Sequence, residues 1–349
     1  MFWVILVPFC TLIFFYVIWR FTAIFGGNVN KWIIVWIALI MATISVFSVF
    51  TLWNNKFIDI VWTIWSRLFV LWVLLTILLW IEHIISIWYK VNPRIIVWFL
   101  LIIFGLWVFF SLHTKIINLD IKSDKIQKNT KILLVSDIHV DHILSTFHIN
   151  KIINTIEREK PDFVIIAWDL LNKPNVDYVK YFSKLMDDKL PPILAAVWNH
   201  DVMFNTEVVQ KIPGVSNIKL LNNESIEINW IQVIWIIDKS IRWNNSIKDI
   251  MDQVDLKNDS ELFSILITHQ PISLEKLEDY PVDLEVAWHT HRGQFYGIRE
   301  LVEIVNDYWY WKYEHNWRIA FVTQWIWTWW LPFRLGTQSE MVIINLIKK

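Results

Sequence analysis

At 349 residues the chain is long enough for one catalytic domain with a full core and a smaller appendage. Its 32 basic and 33 acidic residues leave a net charge of -1, so no global basic surface suits it to nucleic acid, and any recognition of phosphate must be local. The only cysteine, Cys10, lies in an apolar run, which excludes disulfide frameworks and cysteine-based zinc sites.

Four apolar stretches fill the first third of the chain, roughly Phe2 to Trp19, Trp32 to Trp53, Val61 to Trp88 and Ile95 to His113. Each approaches the ~20 residues needed to cross a bilayer's hydrocarbon core. No small-residue cleavage pattern follows the first, so a signal peptide is not the reading. The expectation is a multi-pass integral membrane segment of about four helices over residues 1–113. Arg67 and Glu82 fall within the third stretch, where charges are tolerated near helix ends. Arg20, Lys31, Lys90 and Arg94 occupy the first and third connections and only Lys56 the second, which by the positive-inside tendency puts the following domain outside the cytoplasm. Lys115, Lys122 and Lys125, after the last stretch, pull the other way.

Residues 114–130 read as a linker, and from residue 131 to 349 the composition is that of an α/β domain. Lys131 to Val135 is a short continuous apolar run, as a buried strand requires. Phe163 to Ala167, Ile193 to Val197, Ile231 to Ile237, Phe263 to Thr268 and Leu284 to Ala287 repeat the pattern. Between the first two, Ile149, Ile152, Ile153 and Ile156 carry a helical spacing over His148 to Lys160. Strand, helix and strand in succession give βαβ units and a sheet covered on its faces.

Polar residues gather immediately after these strands: Asp137 and His139, then Asp169, then Asn199, His200 and Asp201, then His269, then His289 and His291. In open α/β sheets, ligand sites collect outside the carboxyl ends of the strands. Carboxylate, imidazole and amide oxygen without thiolate suit divalent Mn, Fe or Zn. Two such ions ~3.5–4 Å apart would clamp a phosphoryl group and supply hydroxide as nucleophile. Arg292 and Gln294 adjoin the last motif and could touch a phosphate oxygen; His142 and His148 read as exposed polar residues, and Tyr296 and Arg334 carry no assigned role.

The composition holds an oddity, 25 Trp against only 7 Gly, where glycine alone normally makes up about 7% of a chain. Either the protein is tryptophan-rich, or its UGA codons are read as glycine in the cell and appear as tryptophan in this translation. Asn229-Trp230 reads more naturally as an Asn-Gly hairpin turn.

The ordered set SDIH, WDLL, WNHD, THQP and WHTHRGQ resembles the motifs D-X-H, G-D, G-N-H-D, H and G-H-X-H of the calcineurin-like metallophosphoesterases, from about Lys131 to the C-terminus. It looks most like the membrane-associated bacterial branch of YkuE- and YaeI-like phosphohydrolases. The resemblance implies a metallophosphoesterase-type βαβ sandwich of mixed sheets flanked by helices. It implies one metal on Asp137, His139, Asp169 and His291, and a second on Asn199, His269 and His289, with Asp169 bridging. His200 would stabilise the transition state or protonate the leaving oxygen, and Asp201 would orient it. Trp168, Trp198 and Trp288 stand where the family has glycine, a substitution for which an indole would be hard to fit. The expected activity is metal-dependent hydrolysis of a phosphoester or pyrophosphate, with a lipid-linked substrate as one candidate. The alternative is an inactive membrane-anchored sensor or scaffold; a transporter fits poorly, because the apolar stretches hold few polar groups.

Overall fold

The computed structural model describes residues 2–24, 29–50, 72–87, 89, 92, 94–136, 145–167, 183–196, 217–221, 223–236, 251–252, 254, 256, 261–293, 298–324, 326, 334 and 336–349. By compactness the chain divides into two units, Met1–Phe109 with Trp330–Phe333, and Phe110–Trp329 with Arg334–Lys349.

The first unit is helical: α1 (Phe2–Ile24), α2 (Lys31–Phe50), α3 (72–86) and α4 (Arg94–Leu112), the last running into the second unit. Among the described residues no helix is long and apolar enough to cross a membrane. That overturns the expected four-helix transmembrane segment, and with it the multi-pass localisation and the extracytoplasmic placing built on it. Counting hydropathy scores every apolar residue alike, whatever it covers. Here Cys10, Phe14, Ala38 and Ala42 are buried together, and Val17, Leu79 and Ile96 form a second cluster. Arg20 of α1 forms an ion pair with Glu82 of α3 at 2.8 Å, a pair that hydrocarbon would have to desolvate. Arg67 and the first part of the third apolar stretch, up to residue 71, lie outside the described residues.

The second unit is built on two six-stranded mixed sheets. One holds β1 (Thr114–Ser123), β2 (Thr130–Ser136), β3 (Phe163–Ala167), β4 (Ile193–Ala196), β5 (Ile218–Leu221) and β12 (Ser339–Lys348), in the order β1-β12-β2-β3-β4-β5. The other holds β6 (Glu224–Ile228), β7 (Ile231–Trp235), β8 (Phe263–Ile267), β9 (Leu284–Ala287), β10 (Trp311–His315) and β11 (Arg318–Val322), in the order β10-β11-β9-β8-β7-β6. The run β2, β3, β4 and β5 is parallel, as is the run β7, β8, β9 and β11. The two-sheet α/β sandwich implied by the resemblance is therefore present.

Alternation along each strand decides which layer a residue joins. Ile132 and Leu134 of β2 enter the core between the sheets with Ile265 and Ile267 of β8 and Val286 of β9. Leu133 and Val135 face the other way, onto Ile149, Ile152 and Ile156 of α5 (Ser145–Glu159). Ile234 and Leu266 line the outer face of the second sheet with Leu274 and Leu277. Because both faces of the central strands are covered, they read as continuous apolar runs. β1 lies in the stretch read from sequence as a linker. It is an edge strand with Lys115, Asp120 and Lys122 among its residues, so it lacks that apolar signature while pairing with β12 from Thr114 to Ser123.

Candidate metal centre

The parallel strands β2, β3 and β4 deliver their carboxyl ends side by side, at Ser136, Ala167 and Ala196. Asp137, His139, Asp169, Asn199, His200 and Asp201 follow these ends and lie outside the described residues. On the other sheet, β8 and β9 end at Ile267 and Ala287, just before His269 and His289. His291 opens a short 3-10 turn, His291–Gly293.

A single segment ties the two sheets together at this end. After β11, the Thr323 N–H donates to Ala287 O at 2.9 Å and the Ile326 N–H to Ser136 O at 3.3 Å. The first acceptor lies two residues before His289 and the second directly before Asp137, so the strand ends that precede the expected ligands sit at the same end of the sandwich. Glu340 of β12, buried, holds that segment: it accepts from Thr323 Oγ1 at 2.6 Å, from the Gln324 N–H at 2.8 Å and from Gln324 Nε2 at 2.8 Å. Burial raises the Glu340 carboxyl above its ordinary range, against the lowering effect of these donors and of Arg334.

The histidine pair is held by a continuation of the β8–β9 ladder. The Thr268 N–H donates to Val286 O at 3.0 Å and the His289 N–H to His269 O at 3.0 Å. The rings are brought to 4.6 Å between centroids, with His289 Nδ1 at 2.7 Å from His269 Nε2. Two imidazole nitrogens so close share one proton, or turn both lone pairs toward one cation. This is the part of the expected ligand set that the described residues bring together, and its chemistry fits a divalent ion of the Mn, Fe or Zn kind. Among the described residues no group of three or more His, Cys, Asp or Glu is assembled for a metal.

Trp288, between the two histidine backbones, is accommodated: it is buried completely, its ring stacked on Trp235 at 6.1 Å and edge-on to His269 at 5.7 Å. The expected difficulty of fitting an indole is thus absent at this position, whereas Trp168 and Trp198 lie outside the described residues.

Sequence reasoning missed the buried polar residues behind the site, because carboxylates inside apolar strands carry no motif. Glu285 of β9 is fully buried and accepts from Thr268 Oγ1 at 2.9 Å and from the Ile272 N–H at 2.6 Å, bracketing His269. Burial pushes its carboxyl up to about 8, the two donors pulling it down only in part. His148, expected as an exposed residue, is instead buried in α5, and burial, then Lys151 and Arg334, lower its imidazole to about 3.

These two groups give opposite slopes. His148 binds fewer protons folded than unfolded between about 3 and its ordinary 6.5, so stability falls as pH drops below 6.5. Glu285 binds more protons folded than unfolded between its ordinary 4.5 and about 8, so stability falls as pH rises across that range. In melting curves from pH 4.5 to 8, Glu285→Gln is expected to flatten the decline above pH 6.5. A profile as steep as the parent's would show that this carboxyl does not titrate there.

Comparison with known proteins agrees with this geometry. The family model for calcineurin-like phosphoesterase matches residues 130–307. An uncharacterized metallophosphoesterase of Helicobacter pylori strain J99 is 27% identical over 239 residues, 67% of this chain and 64% of that protein. One from Campylobacter jejuni is 26% identical over 234 residues, 66% of this chain and 62% of its own. The uncharacterized metallophosphoesterase YkuE of Bacillus subtilis is 27% identical over 181 residues, 48% of this chain and 61% of its own. The chain thus spans a little under two thirds of the length of each of these relatives. With a family match over half its length and a histidine pair at adjacent strand ends, the chain belongs to the calcineurin-like phosphoesterases.

Proposed function

We propose that residues 131–349 form a catalytic domain that hydrolyses a phosphoester or pyrophosphate at a dinuclear metal centre. The observation that carries this is the 2.7 Å approach of His269 Nε2 and His289 Nδ1 at the ends of neighbouring parallel strands. Asp137, His139, Asp169 and His291 would hold one ion and Asn199, His269 and His289 the other, with Asp169 between them. When bound, such ions acidify water and offset the charge of phosphoryl oxygens. His200 donates a proton to the departing oxygen and Asp201 orients His200. Glu285 and Glu340 fix the backbone on which the histidines and the two sheet ends are set. The test is hydrolysis of bis(p-nitrophenyl) phosphate by the full chain, which chelation should abolish and Mn(II) restore.

Similarity to YkuE supports a place in the YkuE-like branch. A lipid-linked substrate is supported by α6 (Ile298–Val305), which follows the His291–Gly293 turn. It leaves Leu301, Ile304 and Val305 exposed on one face, an apolar surface able to receive an acyl chain.

We also propose that many of the tryptophans are glycine in the native protein. Both two-residue hairpin loops read Asn-Trp, Asn229-Trp230 between β6 and β7 and Asn316-Trp317 between β10 and β11. Trp230 has φ 63° and Trp311 φ 78°, a left-handed backbone that an indole-bearing residue rarely adopts and glycine adopts freely. Peptide mass spectrometry of the native protein should find glycine at 230 and 311. Tryptophan masses there and at 168 and 198 would instead favour an inactive binding protein on the same fold, consistent with the room found for Trp288.

A further inference from the structure

Directly after the last histidine of the motif comes a cation that forms no ion pair among the described residues. Arg292 directly follows His291, and its guanidinium carbon lies 3.9 Å from the centroid of the Tyr310 ring. Its Nε is buried and makes no hydrogen bond among the described residues. Stacking on an aromatic face orients a guanidinium but does not neutralise it.

The surroundings hold this arrangement from several sides. Arg292 has φ 49°, a left-handed conformation unfavourable for a residue with a side chain. The turn that imposes it is closed by the Gly293 N–H donating to Thr290 O at 2.9 Å, while the Arg292 N–H reaches Thr290 Oγ1 at 3.5 Å. Thr290 Oγ1 in turn donates to Trp309 O, which joins this turn to the strand-leading segment that carries Tyr310. The Tyr310 hydroxyl donates to Glu340 Oε2 at 3.4 Å, and burial, followed by Glu340, raises that phenol above its ordinary range, so it stays a neutral donor. The same Glu340 fixes the segment that ties the two sheets together. A strained backbone, a stacked ring and a shared carboxylate therefore all fix one guanidinium on the turn that directly follows His289 of the candidate metal centre. A buried N–H without an acceptor costs free energy that a bound anion would recover, and a planar fork of N–H donors matches phosphoryl oxygens.

We propose that Arg292 is the phosphate-gripping residue of the site, binding non-bridging oxygens of the substrate's phosphoryl group, and that Tyr310 is the residue that positions it. The inference rests on the proposed phosphoester hydrolysis. It names the substrate as one whose reacting phosphoryl group is open to a side-on guanidinium, and a dianionic phosphate gains more from it than a monoanionic diester.

The experiment uses the full chain loaded with Mn(II). It measures kcat and KM for p-nitrophenyl phosphate and bis(p-nitrophenyl) phosphate, and binding of inorganic phosphate by calorimetry. Arg292→Gln should weaken phosphate binding and raise KM by about tenfold to a hundredfold, the loss of a charge-assisted pair. The effect on kcat should be smaller, and the loss larger for the monoester. Arg292→Lys should recover part of it, having the charge without the fork. Tyr310→Leu should raise KM in the same direction, and Tyr310→Phe, which restores a ring, should recover most of that loss. If Arg292→Gln binds phosphate and turns over both substrates as the parent does, the assignment of Arg292 is wrong while the hydrolase reading stands. If the parent neither binds phosphate nor hydrolyses either ester, both fall together.

Discussion

Replacing His289 by alanine should lower metal-dependent kcat/KM on the order of a thousandfold, because a metal site contributes several kcal/mol of transition-state stabilisation. His269→Ala should do the same. The two rings meet at 2.7 Å and are expected to serve one ion, so the double variant should be scarcely worse than either single one. The fold should tolerate the loss, since the loops are fixed by bonds from the His289 N–H to His269 O and from the Ile272 N–H to the Glu285 carboxylate, neither of which uses the imidazoles. Steady-state kinetics across a Mn(II) titration separates the outcomes. A variant that recovers full activity at high Mn(II) has lost affinity alone; one that keeps full activity without added metal would remove His289 from the ligand set.

Glu340→Leu should have the largest effect on stability. Glu340 is 1% exposed, and leucine fills much of its volume but accepts none of the bonds from Thr323 Oγ1, the Gln324 N–H and Gln324 Nε2. It also removes a carboxylate that interacts electrostatically with buried Arg334. Breaking such a buried, charge-assisted cluster from one side costs about 3–5 kcal/mol, readable as a shift in the urea midpoint. Glu340→Gln, which keeps an acceptor oxygen, should cost less. Because the segment also carries the backbone bonds to Ala287 and Ser136, hydrolysis should fall even at temperatures where the variant is folded. A Glu340→Leu protein as stable and active as the parent would mean that the two sheet ends are aligned by something else.

The central strands were legible in the sequence because burial on both faces makes a continuous apolar run. β3 and β9 match the predicted spans, and β2, β4, β7 and β8 differ by one or two residues at their ends. The strands β1, β5, β6, β10, β11 and β12 escaped notice: β1, β5, β6 and β10 are the sheet edges, where Lys, Glu and Asn break the apolar signal, and β11 and β12 lie beside edges. The motif order led to the strand ends, and there His269 and His289 meet. What it did not show is the polar scaffold behind them, since Glu285 and Glu340 act through loop backbone and sit at positions where an apolar residue would satisfy the pattern equally well. The first third was misread for the converse reason: apolar runs of bilayer length also arise where helices bury residues such as Phe14 and Ala38 against one another.

The most direct test of the whole account is metal content measured together with hydrolysis on the purified full chain. Two divalent ions per chain, with cleavage of bis(p-nitrophenyl) phosphate that disappears on chelation and returns with Mn(II), is the predicted result. A chain that binds no divalent ion, or that cleaves equally well after chelation, would contradict it.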